Sequence, residues 1–225
     1  MRQLSNFLIE ARRIVRSRRF LICYSVLLVV MALGYGLSKQ ESFERFISII
    51  TLGANMSTGN YYPAGNSTAI FPGQKVSWYL NVYNHAGESE FLAVRVKLLN
   101  STEPGPNDTS QTPSPSNHIY EFTQLVKANS TWTIPFDWII SNMSVDVGGN
   151  RTASDNRITI NDMIIGATKI GGLNVTSPQQ NGFRMLFELW VYDRQAEKFV
   201  YPWPFGDDNS SSRNAWNQIW FNVRA

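Results

Sequence analysis

The chain has 225 residues, a formal charge of +3 and a single cysteine. Its basic character is local: six arginines against one glutamate give the first nineteen residues +5, leaving −2 on the rest, so the charge excludes nucleic acid as a partner. The one cysteine, Cys23, lies in an apolar stretch, which excludes a disulfide framework for everything after it. About 187 residues follow that stretch, enough to bury a full core without covalent staples. The missing disulfides point weakly to a microbial source.

Residues 1–19 form a basic amphipathic segment expected on the cytoplasmic side. Leu4, Phe7, Leu8, Ala11, Ile14 and Val15 recur at helical spacing, and Arg12, Arg13, Arg16, Arg18 and Arg19 supply the opposite, membrane-surface face. Such a helix can lie on anionic headgroups or dock on a partner subunit; the alternative is a solvated basic tail. Residues 20–37, FLICYSVLLVVMALGYGL, are eighteen residues without a charge. As a helix they reach about 27 Å, close to the roughly 30 Å of bilayer hydrocarbon. The arginine-rich flank predicts a cytoplasmic N-terminus, one transmembrane α-helix embedded in membrane lipid, and an extracellular domain over residues 38–225. A cleaved signal peptide is the alternative, although the apolar run is longer than the 7–15 residues usual for one.

After a polar stem (38–45) the period changes from helical to alternating. Residues 45–52 (RFISIITL) read as a first strand, residues 55–65 as a loop, and Phe71-Pro72-Gly73-Gln74 as a turn. In residues 75–83, Val76, Trp78, Leu80 and Val82 share one face; in residues 91–99, Leu92, Val94, Val96 and Leu98 do. The Asn84–Gly87 turn between them predicts an antiparallel hairpin. Residues 100–117, with four prolines among Ser and Thr, predict a mobile surface loop. Strands are expected again over 119–126 and 132–138, with Pro135 marking an edge or bulge. Residues 141–180 read as an irregular insertion with a weak strand at 157–160. Residues 182–192 form a strong strand with Phe183, Met185, Phe187, Leu189 and Val191 inward, and residues 215–223 close the chain. Seven or eight alternating strands predict an antiparallel, immunoglobulin-like β-sandwich with two long loop insertions, behind one N-terminal transmembrane helix.

Tyr62-Pro63, Gly73-Gln74, Asn84-His85-Ala86-Gly87, the 92–98 run, Trp132 and Leu189-Trp190-Val191-Tyr192 together resemble a family of archaeal membrane-anchored proteins with an uncharacterised extracellular β-sandwich domain. The resemblance spans roughly residues 46–192. Ala86 stands where that family usually has Glu, and its members often have several transmembrane helices. The resemblance implies a fold and an address at the cell membrane and no activity.

Nine N-x-S/T sequons occur, all after the apolar stretch, at Asn55, Asn66, Asn100, Asn107, Asn129, Asn142, Asn150, Asn174 and Asn209. About three are expected by chance from the composition, and the excess on the expected outer side predicts N-glycosylation. The two histidines, His85 and His118, match the number a blue-copper site uses, but the cysteine it also requires does not occur after residue 23. No G-x-S-x-G elbow accompanies them, so no catalytic residue, metal site or cofactor is expected. Asp155-Asn156, Asn161-Asp162 and Asp207-Asp208-Asn209 are oxygen-rich but lack EF-hand spacing. Trp190 and Trp220 fall opposite the apolar rows, which points to surface or insertion contacts. In Tyr201-Pro202-Trp203-Pro204-Phe205, two aromatics stand between prolines, and Trp203 and Phe205 are the candidate partner contacts. The expected function is that of a glycosylated surface module, not an enzyme, that binds or braces other envelope or membrane proteins. The alternative is an accessory subunit of a larger membrane complex, and a surface enzyme comes third.

Overall fold

The structure, a computed structural model, describes residues 18–38, 45–63, 67–141, 144–145, 150–154, 158–165, 174–177, 182–201, 203–204 and 212–224. The chain divides into two compact units, residues 1–44 and 45–225.

In the first unit, helix α1 (Arg18–Ser38) contains the apolar stretch. Its described side chains are Arg18 and the run Ile22–Met31, all exposed. Among the described residues no helix is long and apolar enough to cross a membrane; the described run by itself reaches about 15 Å, half a bilayer core.

The second unit opens with β1 (Phe46–Leu52), β2 (Ala69–Ile70) and β3 (Lys75–His85). The strands β4 (Glu90–Asn100), β5 (Tyr120–Val126) and β6 (Ser130–Ile140) follow. The insertion holds β7 (Ser144–Val145), β8 (Arg151–Ser154), β9 (Ile158–Ile160), β10 (Met163–Ile164) and β11 (Asn174–Ser177). The chain ends with β12 (Phe183–Asp193), β13 (Lys198–Val200), β14 (Trp203–Pro204), β15 (Ser212–Arg213) and β16 (Ala215–Val223). Two sheets make the sandwich, one in the order β1-β3-β6-β9-β10 and the other β2-β16-β12-β4-β5, with β13 also on β12. All pairings in them are antiparallel except β16 with β2. Two small sheets, β11-β8-β7 and β14-β15, lie outside them.

The alternating rows form the core as the sequence predicts. Val76, Trp78, Leu80 and Val82 of the first sheet and Leu92, Val94, Val96 and Leu98 of the second are almost wholly buried. The sheets meet on aromatic rings. Trp78 lies against Phe136 and Trp138 of β6 at 6.1 and 5.1 Å and against Phe187 of β12 at 6.2 Å, while Phe136 meets Phe187 edge-on at 5.1 Å. The Trp78 indole N–H donates to the Tyr61 carbonyl at 2.5 Å, so its one polar atom is satisfied. Phe71–Gln74 is a turn with Gly73 at φ +79°, where glycine costs least; the Gln74 N–H returns to the Phe71 carbonyl at 3.0 Å. Pro135 sits as expected on an open edge: β9 pairs only with Trp138–Ile140 of β6. Beyond it the Asn161 side chain takes over, donating to the Pro135 carbonyl at 2.9 Å and accepting from the Asp137 N–H at 2.8 Å.

Three expectations need correction. Strands β3 and β4 are not a hairpin but lie in opposite sheets. Both carry a fully apolar row, and the turn sets the two rows face to face across the core. Its ladder is replaced by one side chain: Asn84, wholly buried, donates to the carbonyls of Glu88 (2.8 Å), Val126 (2.9 Å) and Lys127 (3.3 Å) and accepts from the Ala86 N–H (2.9 Å). The weak strand near 157–160 is a core element, β9, with Ile158 and Ile160 buried. The proline-rich segment after Asn100 is not a loose surface loop but is bonded onto the second sheet, as described below.

Trp78→Ala should lower unfolding free energy by about 3–5 kcal/mol, as aromatic truncations in cores do. Asn84→Ala should cost about 2–4 kcal/mol, because it orphans buried carbonyls at both crossings. Urea denaturation of the purified chain measures both, and a cost below about 1 kcal/mol for Asn84→Ala would show that the crossings hold without it.

Candidate functional site

Strand β12 is buried on both faces. Phe183, Met185, Phe187 and Leu189 enter the core, and Arg184, Leu186 and Glu188 on the other face are buried as well. What covers them is the segment 101–119. Glu188, with no exposed surface, lies across from β4, where its Oε2 is 2.8 Å from Lys97 Nζ. The Ser114 backbone closes the pair from above: its N–H donates to Glu188 Oε1 at 2.7 Å, and its carbonyl accepts from Lys97 Nζ at 2.6 Å. The Trp190 indole N–H adds a bond to Glu188 Oε2 at 3.3 Å. Burial pushes the Lys97 ammonium below its usual range, and the bond to Glu188 opposes that shift.

The rest of the segment is fastened by its own polar side chains. The Asn100 Oδ1 accepts from the N–H of Thr102 and of Glu103 and from the Thr102 hydroxyl, at 2.8–2.9 Å. Glu103 returns its carboxylate to the Asn100 N–H at 2.7 Å and to the Ser116 hydroxyl at 3.2 Å. Arg184 donates to the Glu103 carbonyl and, at 2.9 Å, to Gln218 Oε1. Asp108 at the tip accepts from Asn214 Nδ2 at 3.0 Å and from the Trp216 indole at 2.8 Å. Asn214 also donates to the buried Tyr201 hydroxyl at 3.1 Å; burial raises the Tyr201 pKa, with that bond opposing.

Two guanidinium–indole pairs flank this network: Arg95 over Trp190 at 3.9 Å and Arg184 over Trp220 at 5.1 Å. Arg95 is also paired with Glu121 at 2.6 Å. Trp190 and Trp220 therefore lie outside the core, as the sequence indicates, and Trp216 joins them, because it bonds Asp108 on the outer face. Past the covered half, Phe91, Tyr192 and Phe199 pack together with ring centroids 5.3–5.8 Å apart, and Phe91 is exposed. The arrangement holds the covering segment on the sheet. The ion pair has its charges met by protein groups. Among the described residues no group of three metal-ligating side chains occurs.

Of the sequon asparagines, Asn55, Asn107 and Asn129 are exposed, Asn100 and Asn150 are half-buried, and Asn174 lies in β11 with no side chain described. Asn66, Asn142 and Asn209 lie outside the described residues. Trp203 pairs with Arg213 along the backbone, but its side chain, all of Phe205, and Arg12, Arg13 and Arg16 lie outside the described residues too. Arg18 is exposed at the start of α1, and Arg19 is described in backbone alone. His85, the last residue of β3, rests on its cross-strand partner Phe46 at 5.0 Å with Nδ1 3.4 Å from the Tyr83 hydroxyl. The sequence points to none of the partners of Lys97 and Glu188. One signal was present: Arg184 and Glu188 share one row of a strand whose other row is apolar from Phe183 to Val191, and a glutamate buried there demands a cation.

Glu188→Ala should cost about 3–5 kcal/mol, because it leaves the Lys97 ammonium buried and unpaired. Lys97→Met combined with Glu188→Leu should cost less than Glu188→Ala alone. Hydrogen exchange should quicken at Ser114 in both variants, and equal costs for the single and double changes would refute the pairing.

No family model matches the chain, and no curated protein does. Among solved structures it is similar to Spo0M, a sporulation control protein from Bacillus subtilis, with a TM-score of 0.34 and 9% identity over 80% of this chain and 49% of that one. It is also similar to a β-glucosidase from Listeria innocua in complex with gluconolactone, with a TM-score of 0.32 and 8% identity over 79% of this chain and 16% of that one. The chain spans about half the length of the first and about a sixth of the second.

Proposed function

We propose that this protein is a single-pass membrane protein whose immunoglobulin-like β-sandwich stands outside the cell as a glycosylated binding or bracing module for other envelope proteins. The supporting observation is the surface of α1. Ile22, Val26, Leu27, Leu28, Val29, Val30 and Met31 are 49–63% exposed and surround the helix on every side. A helix that is apolar all round requires a non-aqueous surrounding, and eighteen uncharged residues match the thickness of a bilayer. Six arginines before it favour a cytoplasmic N-terminus. The exposed sequons at Asn55, Asn107 and Asn129 suit an outer domain. The outer-face network supports a module that presents a fixed surface, since its polar groups are consumed in holding the covering segment. An accessory subunit would differ in contacting its complex through residues 20–37 and the arginine face.

Protease added to intact cells should remove residues 45–225 and spare an epitope at Met1, and enzymatic deglycosylation should lower the apparent mass of the released domain. Protection of the domain in intact cells, with digestion after lysis, would reverse the orientation. A chain that leaves the membrane fraction in alkaline carbonate would remove the span.

A further inference from the structure

The second sheet ends on β5. Among the described residues, the edge strands β2 and β10 are two residues long, and β1 has the Tyr61 hydroxyl on its Thr51 carbonyl at 3.1 Å. Short strands and side-chain caps are the usual means by which an edge avoids pairing with another chain. Strand β5 has one cap, the Asn84 amide on the carbonyl of its last residue, Val126, at 2.9 Å, and among the described residues no side chain caps Thr123, Gln124 or Leu125. It is seven residues long and pairs with β4 alone among the described residues. Phe122 to Val126 holds no charge, proline or glycine, and Thr123, Gln124 and Leu125 are exposed, Leu125 by 60%. Alternate residues of such a strand turn an N–H and a C=O away from their one neighbour, ready for a further ladder.

We infer that β5 is a homodimer edge, pairing antiparallel with β5 of a second copy about a two-fold axis through Thr123. The register follows from the residues. Centring the axis on Thr123 aligns all seven positions, Tyr120 with Val126, Glu121 with Leu125 and Phe122 with Gln124, and Thr123 with itself. A two-fold ladder keeps the faces in step, so Glu121 and Leu125, on the outer face, meet outer-face residues of the second copy. The only charge on the strand, Glu121, is already neutralised by Arg95 at 2.6 Å and comes opposite Leu125, never opposite its own copy. Like charges therefore do not face each other across the axis. The ladder also shields Leu125 and the exposed Phe91, which lies across from it in β4. Two six-stranded sheets join into one continuous sheet.

The test uses the full-length chain in detergent, followed by light scattering over a concentration series. The wild type should dimerise. Thr123→Lys and Thr123→Glu, each at an exposed site, should retain the thermal midpoint and raise the dimer dissociation constant at least about threefold, because each places like charges in direct opposition. Mixing the two variants should restore dimers, because lysine then meets glutamate. On a Cys23→Ala background, Thr123→Cys should crosslink between copies on oxidation, with the two sulfurs carried by directly opposed residues, and Gln124→Cys should crosslink far less. A monomeric wild type, dimers unaffected by both charge variants, or equal crosslinking at positions 123 and 124 would each overturn the assignment.

Discussion

The Asn84 side chain holds the place where this sandwich becomes a sandwich. The chain crosses from the first sheet to the second between β3 and β4 and returns between β5 and β6. A crossing has no ladder of its own, so its backbone groups need other partners. Asn84 reaches the Glu88 carbonyl in the first crossing and the carbonyls of Val126 and Lys127 in the second. One amide thus stitches both crossings at the same end of the core. Glycine at 87, with φ +86°, lets the first crossing turn sharply enough for that reach. With the crossings fixed, the Trp78, Phe136 and Phe187 rings are brought into contact from opposite sheets.

The outer face of the second sheet solves a different problem. An antiparallel sheet commonly leaves one face to water, and its strands then alternate apolar and polar. Strand β12 instead carries Arg184, Leu186 and Glu188 under protein. Burying Glu188 alone would be costly, and the cost is offset by Lys97, by Ser114 and by Trp190, all within hydrogen-bonding distance. The same contacts fasten a segment whose composition cannot build a core. A domain with no cysteine after residue 23 therefore has two polar anchors in the role that disulfides fill elsewhere, one at the sheet crossing and one under the covering segment.

The fold class was legible because its signal is periodicity. The inward rows on β3, β4, β6 and β12 alternate, and on β3 and β6 burial follows the alternation, while β4 and β12 are buried on both faces. Connectivity was not legible. Two alternating strands and a four-residue turn describe a hairpin and a crossing equally well, and the difference lies in which groups Asn84 reaches forty residues later. The segment after Asn100 misled for a related reason. Its prolines and hydroxyls satisfy one another locally, which composition reads as solvation, while the bonds that decide its position come from Lys97 and Glu188 on separate strands. On β4, alternation alone places Lys97 on a polar outer row with Arg95. The sequence holds no sign that Ser114 lies above it. Trp190 and Trp220 were legible because each stands out of phase with an apolar row, a local signal; Trp216 was not, because its partner Asp108 lies far away in the chain.

The asparagines show how far one motif can carry two meanings. N-x-S/T is the acceptor pattern for a glycan, and it is also a pattern that closes turns, since an asparagine carbonyl accepts bonds from the backbone and hydroxyl two residues on. Asn100 uses it in the second way: its Oδ1 takes three bonds, one from the Thr102 hydroxyl of its own sequon. Asn55 accepts from the Ser57 hydroxyl at 2.7 Å, and Asn107 from the N–H groups of Thr109 and Ser110 at 2.9 Å. Part of the excess of sequons over chance therefore arises from turn building. Asn129 stands apart. It is exposed between β5 and β6 with φ +54°, and its side chain has no hydrogen bond among the described residues. The left-handed backbone, which asparagine tolerates better than most residues, explains the Asn there, and nothing in the packing requires the Thr131 that completes its sequon. Asn129, more than the count of nine, favours an outer, modified domain.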